Sequence, residues 1–117
     1  MPETSVPDLL KPQWFQILLA LSRGPLHGAA IMEEVLERTD GAMKLWPATL
    51  YGSLRDLEEA GWIEQADADD PPQPGGRRNV HALTAEGRAV LIAELERLEA
   101  TLDVARRRRL LDSREAV

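Results

Sequence analysis

The side chains in this sequence best suited to acting on a partner are its arginines. Arg55 sits among leucines in a helical pattern, Arg77 and Arg78 follow two glycines, and Arg106 to Arg109 form an uninterrupted run. A guanidinium presents planar, paired donors that match a phosphate or the O6/N7 edge of guanine, so the implied chemistry is recognition by hydrogen bonding and charge. Covalent chemistry finds little support. There is no cysteine, and the two histidines, His27 and His81, have no acid or thiol spaced to work with them. No nucleophile–base pairing, phosphate-cradling glycine loop or metal-ligand cluster is present, so neither an enzyme nor a cofactor or metal site is expected.

Charge is distributed unevenly among these groups. The chain has 14 basic and 20 acidic residues, a net charge of −6. Residues 1–62 hold five basic and nine acidic side chains, residues 63–75 add four acids and no base, and residues 76–117 set nine arginines against seven acids. Long-range attraction to a polyanion is therefore weak, and nucleic-acid binding must rest on local patches. The same acidic balance suits an alternative, a module that binds protein without DNA.

The elements that would carry these groups can be read from apolar periodicity. Pro12 suits a first helical turn, and Trp14, Ile17, Leu18 and Leu21 follow on one face, widened by Phe15 and Leu19, until Gly24-Pro25. A second helix runs from His27 or Gly28 to Thr39, with Ile31, Met32, Val35 and Leu36 inward and Asp40-Gly41 as its stop. A third starts at Pro47 and ends near Ala60-Gly61, buried through Leu50, Leu54 and Leu57. Two short strands follow, from Trp62 to Ala66 and from about Arg77 to Leu83, with Val80 and Ala82 facing opposite to Asn79 and His81. Three prolines and two glycines between the strands predict a mobile loop. Thr84 is a good N-cap for a long fourth helix. His27 reads as a turn or cap residue and His81 as a strand surface residue.

The expected fold class is mainly α with a small β-hairpin: a winged helix-turn-helix at residues 10–83 and a long C-terminal dimerisation helix at 84–110. Residues 1–9 and 111–117 read as flexible ends. On the third helix, at about 100° per residue, the side opposite the leucines presents Ala48, Gly52, Arg55 and Asp56, flanked by Thr49 and Tyr51. Small residues there allow close approach to a groove. Arg55 could take guanine, Thr49 offer a hydroxyl, Tyr51 reach a phosphate or sugar, and Lys44 neutralise a flanking phosphate. Read blandly, the same face is only solvated surface. Arg77 and Arg78, at the base of the hairpin, could lie along the phosphate backbone or in a minor groove.

Leu26-His27-Gly28, the run Pro47 to Tyr51, the run Leu54 to Ile63 and the stretch from Gly76-Arg77-Arg78 to Arg88 together resemble the PadR family of transcriptional regulators. The resemblance spans roughly Leu10 to Leu102. It implies a dimeric repressor of a two-fold symmetric double-stranded DNA operator, with a recognition helix at Pro47 to Ala60 and a wing around Arg77 and Arg78. Thr49, Tyr51 and Gly52 would lie at the DNA surface. The single C-terminal helix resembles the short subfamily, which lacks a separate helical effector domain. His81 departs from the pattern, standing where tyrosine is common.

Leu91, Leu95, Leu98, Leu102 and Ala105 recur at steps of 4, 3, 4 and 3, a coiled-coil seam. About two heptads are too short to pair stably alone, so the seam is expected to pack on the partner's first helix and bury Trp14 and Phe15. Folding back onto its own domain is the alternative. Some family members hold aromatic small molecules between subunits, which makes Trp14 a candidate wall of an effector site. Arg106 to Arg109 fit either a solvated helix end or a DNA contact. No apolar run reaches membrane-spanning length, and the N-terminus lacks signal-peptide character, so the cytoplasm is the expected compartment.

Overall fold

In a computed structural model that describes residues 10–66 and 80–111, four helices pack with one small sheet. The elements are α1 (Pro12–Leu21), β1 (Leu26–His27), α2 (Gly28–Arg38), α3 (Pro47–Ala60), β2 (Ile63–Ala66), β3 (Val80–Leu83) and α4 (Ala85–Arg107). Helix α1 lies at the centre and touches α2, α3, α4 and β3. Its Ile17, Leu18 and Leu21 join Ile31 and Val35 of α2, Leu50, Leu54 and Leu57 of α3, Ile63 of β2 and Leu91 of α4 in a single core. Burying each of these side chains contributes roughly 1.5–3 kcal/mol, so the leucine stripe is what presses α3 onto α1.

The sheet has three strands in the order β1-β3-β2, all antiparallel. Ile63 pairs with Leu83 and Ala66 with Val80 across the hairpin, while Leu26 pairs with His81 on the other side of β3. The two-residue β1 has no sequence signal, because alternation cannot be recognised in Leu26-His27 alone. Its presence makes β3 a central strand, and this corrects the reading of His81. His81 is 3% exposed, with Glu58 of α3 against its ring. Leu36 is also corrected, lying exposed at the end of α2. That helix closes through Thr39, whose hydroxyl bonds the Val35 carbonyl at 2.8 Å and receives the Met43 amide at 3.0 Å. Asp40 and Gly41 follow with φ of 57° and 83°, a left-handed pair that turns the chain away. Arg38 is less solvated than its position suggests, since it holds the Gln16 side chain and carbonyl at 2.9 Å, pairs with Glu34, and so ties α2 to α1.

A knot of polar contacts joins the end of α3 to the start of α4. Gly61 takes the left-handed cap with φ 84°, and its carbonyl accepts the Thr84 hydroxyl proton at 2.7 Å. The Trp62 carbonyl accepts the Thr84 amide at 3.1 Å. The Thr84 side chain in turn accepts from the Gly87 amide at 2.9 Å, the expected N-cap. Gly87 is required by space: a β-carbon there would stand 1.9 Å from the Trp62 carbonyl oxygen.

The seam on α4 is also corrected in part. Leu91 is 3% exposed within the chain's own core, whereas Leu95, Leu98 and Leu102 are 38–42% exposed beyond it. The first turns of α4 thus belong to the domain, and the free stripe begins about one turn later. Trp14 and Phe15 are half-buried against the same core. Among the described residues no helix is long and apolar enough to cross a membrane.

Candidate nucleic-acid interface

Pro47 occupies the first turn of α3, and Trp46 before it is held extended at φ −83°, ψ 154° with no side-chain cap. In that extended approach successive side chains alternate, so Leu45 turns into the core while Lys44 and Trp46 turn outward. Within the helix Leu50, Ser53, Leu54 and Leu57 are buried. Ala48, Thr49, Tyr51, Arg55 and Asp56 are exposed, and Gly52 is half-buried with nothing near where a β-carbon would stand. The outward side of α3 is therefore not covered by any described part of the chain.

Side chains around this face are arranged more specifically than their types suggest. The Tyr51 ring lies against the start of α2, and a β-carbon at Gly28 would meet its hydroxyl oxygen at 2.6 Å. Glycine at 28 thus lets Tyr51 lock α3 onto α2 while leaving half of its surface outside. Lys44 places its ammonium 4.4 Å from the centroid of the Trp46 ring, a cation–π contact. Arg55 is exposed one turn further along. Glu59 and Asp56 also face outward, so the basic character is concentrated toward the helix N-terminus, where the backbone amides and the dipole favour an anion as well.

Of the residues expected to form the interface, Lys44, Ala48, Thr49, Tyr51, Gly52 and Arg55 all stand exposed or half-buried along α3 and the segment leading into it, Arg55 past the midpoint of the helix. Arg77 and Arg78 lie outside the described residues. Trp14 stands apart from the group, packed edge-on against Trp62 with ring centroids 6.1 Å apart at 80°, and with the Lys11 ammonium 4.8 Å from its ring. Sequence reasoning missed Trp46, which is 61% exposed beside Thr49. The available signal was its place immediately before the proline that opens the helix, which removes it from the helical period.

His81 connects the back of α3 to the sheet. Its Nδ1 stands 3.5 Å from Glu58 Oε2, long for a hydrogen bond, and neither imidazole nitrogen has a hydrogen-bond partner among the described residues. Burial pushes its pKa below the ordinary histidine value, against the opposing pull of the Glu58 carboxylate, while the nearby His27 adds to the lowering. Burial thus favours the neutral form of the ring.

The sequence pattern that defines the transcriptional regulator PadR-like family matches residues 17–93. The chain is 37% identical over 78 residues to the uncharacterized 37.1 kDa protein in transposon TN4556 of Streptomyces fradiae, a match covering 67% of this chain and 20% of that protein. It thus spans about a fifth of that relative's length. Its fold is similar to that of a PadR family transcription regulator from Clostridium difficile, with a TM-score of 0.68 and 24% identity over 81% of this chain and 95% of that one. It is similar also to Bacillus subtilis PadR solved in complex with operator DNA, with a TM-score of 0.63 and 21% identity over 73% of this chain and 47% of that one. With two thirds of its length matched by the family's pattern, and helices and sheet arranged as in these structures, the chain belongs to the PadR-like family of transcriptional regulators.

Proposed function

We propose that the chain is a sequence-specific DNA-binding repressor that works as a homodimer on a two-fold symmetric operator. The observation that carries this reading is the uncovered outward side of α3, where Ala48, Thr49 and Arg55 stand clear while Leu50, Leu54 and Leu57 are buried. Ala48 and Gly52 admit the helix to the major groove, Arg55 contacts guanine, and Thr49, Tyr51 and Lys44 contact the flanking backbone. The wing adds Arg77 and Arg78. The operator complex of Bacillus subtilis PadR, similar in fold, supports DNA as the partner.

The exposed stripe Leu95, Leu98 and Leu102 supports dimerisation through α4. A single module of this size offers only about 600–1,000 Å² to DNA, and a second copy supplies both affinity and half-site spacing. The partner's helix would cover the outer sides of Trp14 and Phe15, in keeping with the short subfamily of one C-terminal helix. Trp14 would border a site for a small aromatic effector, which derepresses by binding more tightly to the dimer geometry that does not fit DNA.

Selecting duplexes from a random pool tests the reading directly, because it reports binding and half-site spacing together. Arg55→Ala and Thr49→Ala are expected to weaken binding to the selected duplex while leaving the dimer intact, and unchanged affinity in both refutes the assignment. The net charge of −6 favours one other reading, a protein-binding module. Such a module binds no duplex even at low salt, whereas the proposed repressor binds and releases as salt rises.

A further inference from the structure

We propose that Trp46 is a DNA-contacting anchor, its indole packed on the apolar face of a nucleotide at the margin of the groove that α3 enters. The proposal rests on the DNA-binding reading above and names a contact which that reading does not include. Three observations lead to it. Trp46 is 61% exposed at the N-cap of α3, beside the exposed Ala48 and Thr49. The extended backbone fixed by Pro47 projects it outward while Leu45 anchors the segment in the core, so its position is set by the fold. Lys44 stands with its ammonium 4.4 Å from the ring centroid, so one side chain pair presents a cation and an aromatic surface together. A sugar-phosphate unit presents the complementary pair, an anionic oxygen beside an apolar ring.

Charge explains why such an anchor is needed. Among the described residues, α3 and the segment leading into it carry two cations, Lys44 and Arg55, and the exposed Asp56 and Glu59 offset them. With few cations on this helix, its own share of counterion release is small, and the salt dependence expected above rests on these two together with the proposed Arg77 and Arg78. An apolar contact does not depend on salt, and in a duplex, whose base faces are stacked on one another, the surfaces open to it belong to the sugar and to thymine. The complementary face is either a deoxyribose or a thymine methyl group, and both are met by the same indole.

The test uses the full-length protein and a duplex it has itself selected from a random pool. Trp46→Ala is expected to weaken binding about tenfold or more, equivalent to about 1.4 kcal/mol, and Trp46→Phe is expected to retain most of the affinity. Trp46→Lys separates apolar contact from charge, since it adds a cation at the same place. It is expected to bind more weakly than wild type, and equal or tighter binding overturns the proposal. Replacing each thymine near the half-site edge by uracil identifies the contact: a loss at one position that disappears in Trp46→Ala marks a methyl group, and no loss marks the sugar. Acrylamide quenching gives a readout independent of affinity. Saturating duplex is expected to protect a quenchable fluorescence component that Trp46→Phe lacks, and unprotected fluorescence overturns the proposal. If the wild type selects no duplex at all, the DNA-binding reading falls with it; if it selects one and Trp46→Ala binds it equally, only the anchor falls.

Discussion

Substituting alanine for glycine at two helical positions should move stability in opposite directions. At Gly87, in the first turn of α4, a β-carbon would stand 1.9 Å from the Trp62 carbonyl oxygen, 2.8 Å from its carbon and 3.1 Å from Leu83 Cδ1. The obstacle is backbone, so α4 must shift. Overpacking of this kind costs about 1–3 kcal/mol. The shift also strains the Thr84 cap and the hydrogen bonds to the Gly61 and Trp62 carbonyls, each worth about 1 kcal/mol. Alanine's better helix propensity returns about 1 kcal/mol. A net loss of about 3 kcal/mol corresponds to a fall in Tm of about 12 °C for a domain near this size. At Gly52 nothing lies within 4 Å of the new carbon, so only the propensity gain of about 1 kcal/mol remains and Tm should rise about 4 °C. Because that carbon points from the outward side of α3, Gly52→Ala is also expected to weaken operator binding while stabilising the fold. Thermal melts followed by circular dichroism, at one fixed protein concentration, provide the measurement. A Gly87→Ala melt within 2 °C of wild type, on the scale of about 4 °C per kcal/mol, refutes the packing argument.

Other outcomes follow from the same contacts. Leu95→Glu combined with Leu98→Glu should yield monomers in sedimentation, because both leucines lie exposed beyond the domain core; a persistent dimer places the interface elsewhere. Leu91→Ala, by contrast, should lower Tm by the equivalent of about 2–5 kcal/mol, since it opens a cavity in the domain itself. Burial lowers the His81 pKa, so between the unfolded value of about 6.5 and the folded one the unfolded chain binds more protons. Stability should therefore fall as pH drops below that unfolded value, and His81→Phe should flatten this part of the pH–Tm curve if the ring is its source. Gly28→Ala should push the Tyr51 ring off the start of α2 at a cost below about 1 kcal/mol, a Tm within about 4 °C of wild type, because the atom in the way is the far end of a half-exposed side chain that can swing outward.

Most of the helical framework was legible in the sequence, and the failures have physical causes. Leucines at 50, 54 and 57 place α3 because a helical period repeated over about two turns has no other economical burial. Thr84 announced α4 because a hydroxyl three residues before an amide is a local arrangement. β1 was hidden because two residues carry no period, and without it His81 looked like the solvent side of a hairpin. Leu91 looked continuous with Leu95 and Leu98 because a heptad records only the face of a helix. Where along that face the domain's own core ends is decided by α1 and β3, which are distant in sequence. Of the candidate interface, the small outward face could be computed from angles alone. The pairing of Lys44 with Trp46 could not, since it arises in the extended segment before the helix, where neither helical nor strand periodicity applies.

The join between Gly61, Trp62, Thr84 and Gly87 leaves no slack between the element that would meet DNA and the one that would meet a second subunit. Two carbonyls at the end of α3 are held by the first residue of α4's cap, and the missing β-carbon at 87 closes the gap to contact distance. Were α4 to tilt against a partner, this join is the path along which the tilt would reach α3 and the N-terminus at its far end. Separation between two reading heads would then be tuned at a site that touches neither DNA nor ligand, and substitutions at this elbow would alter which operator spacing is accepted.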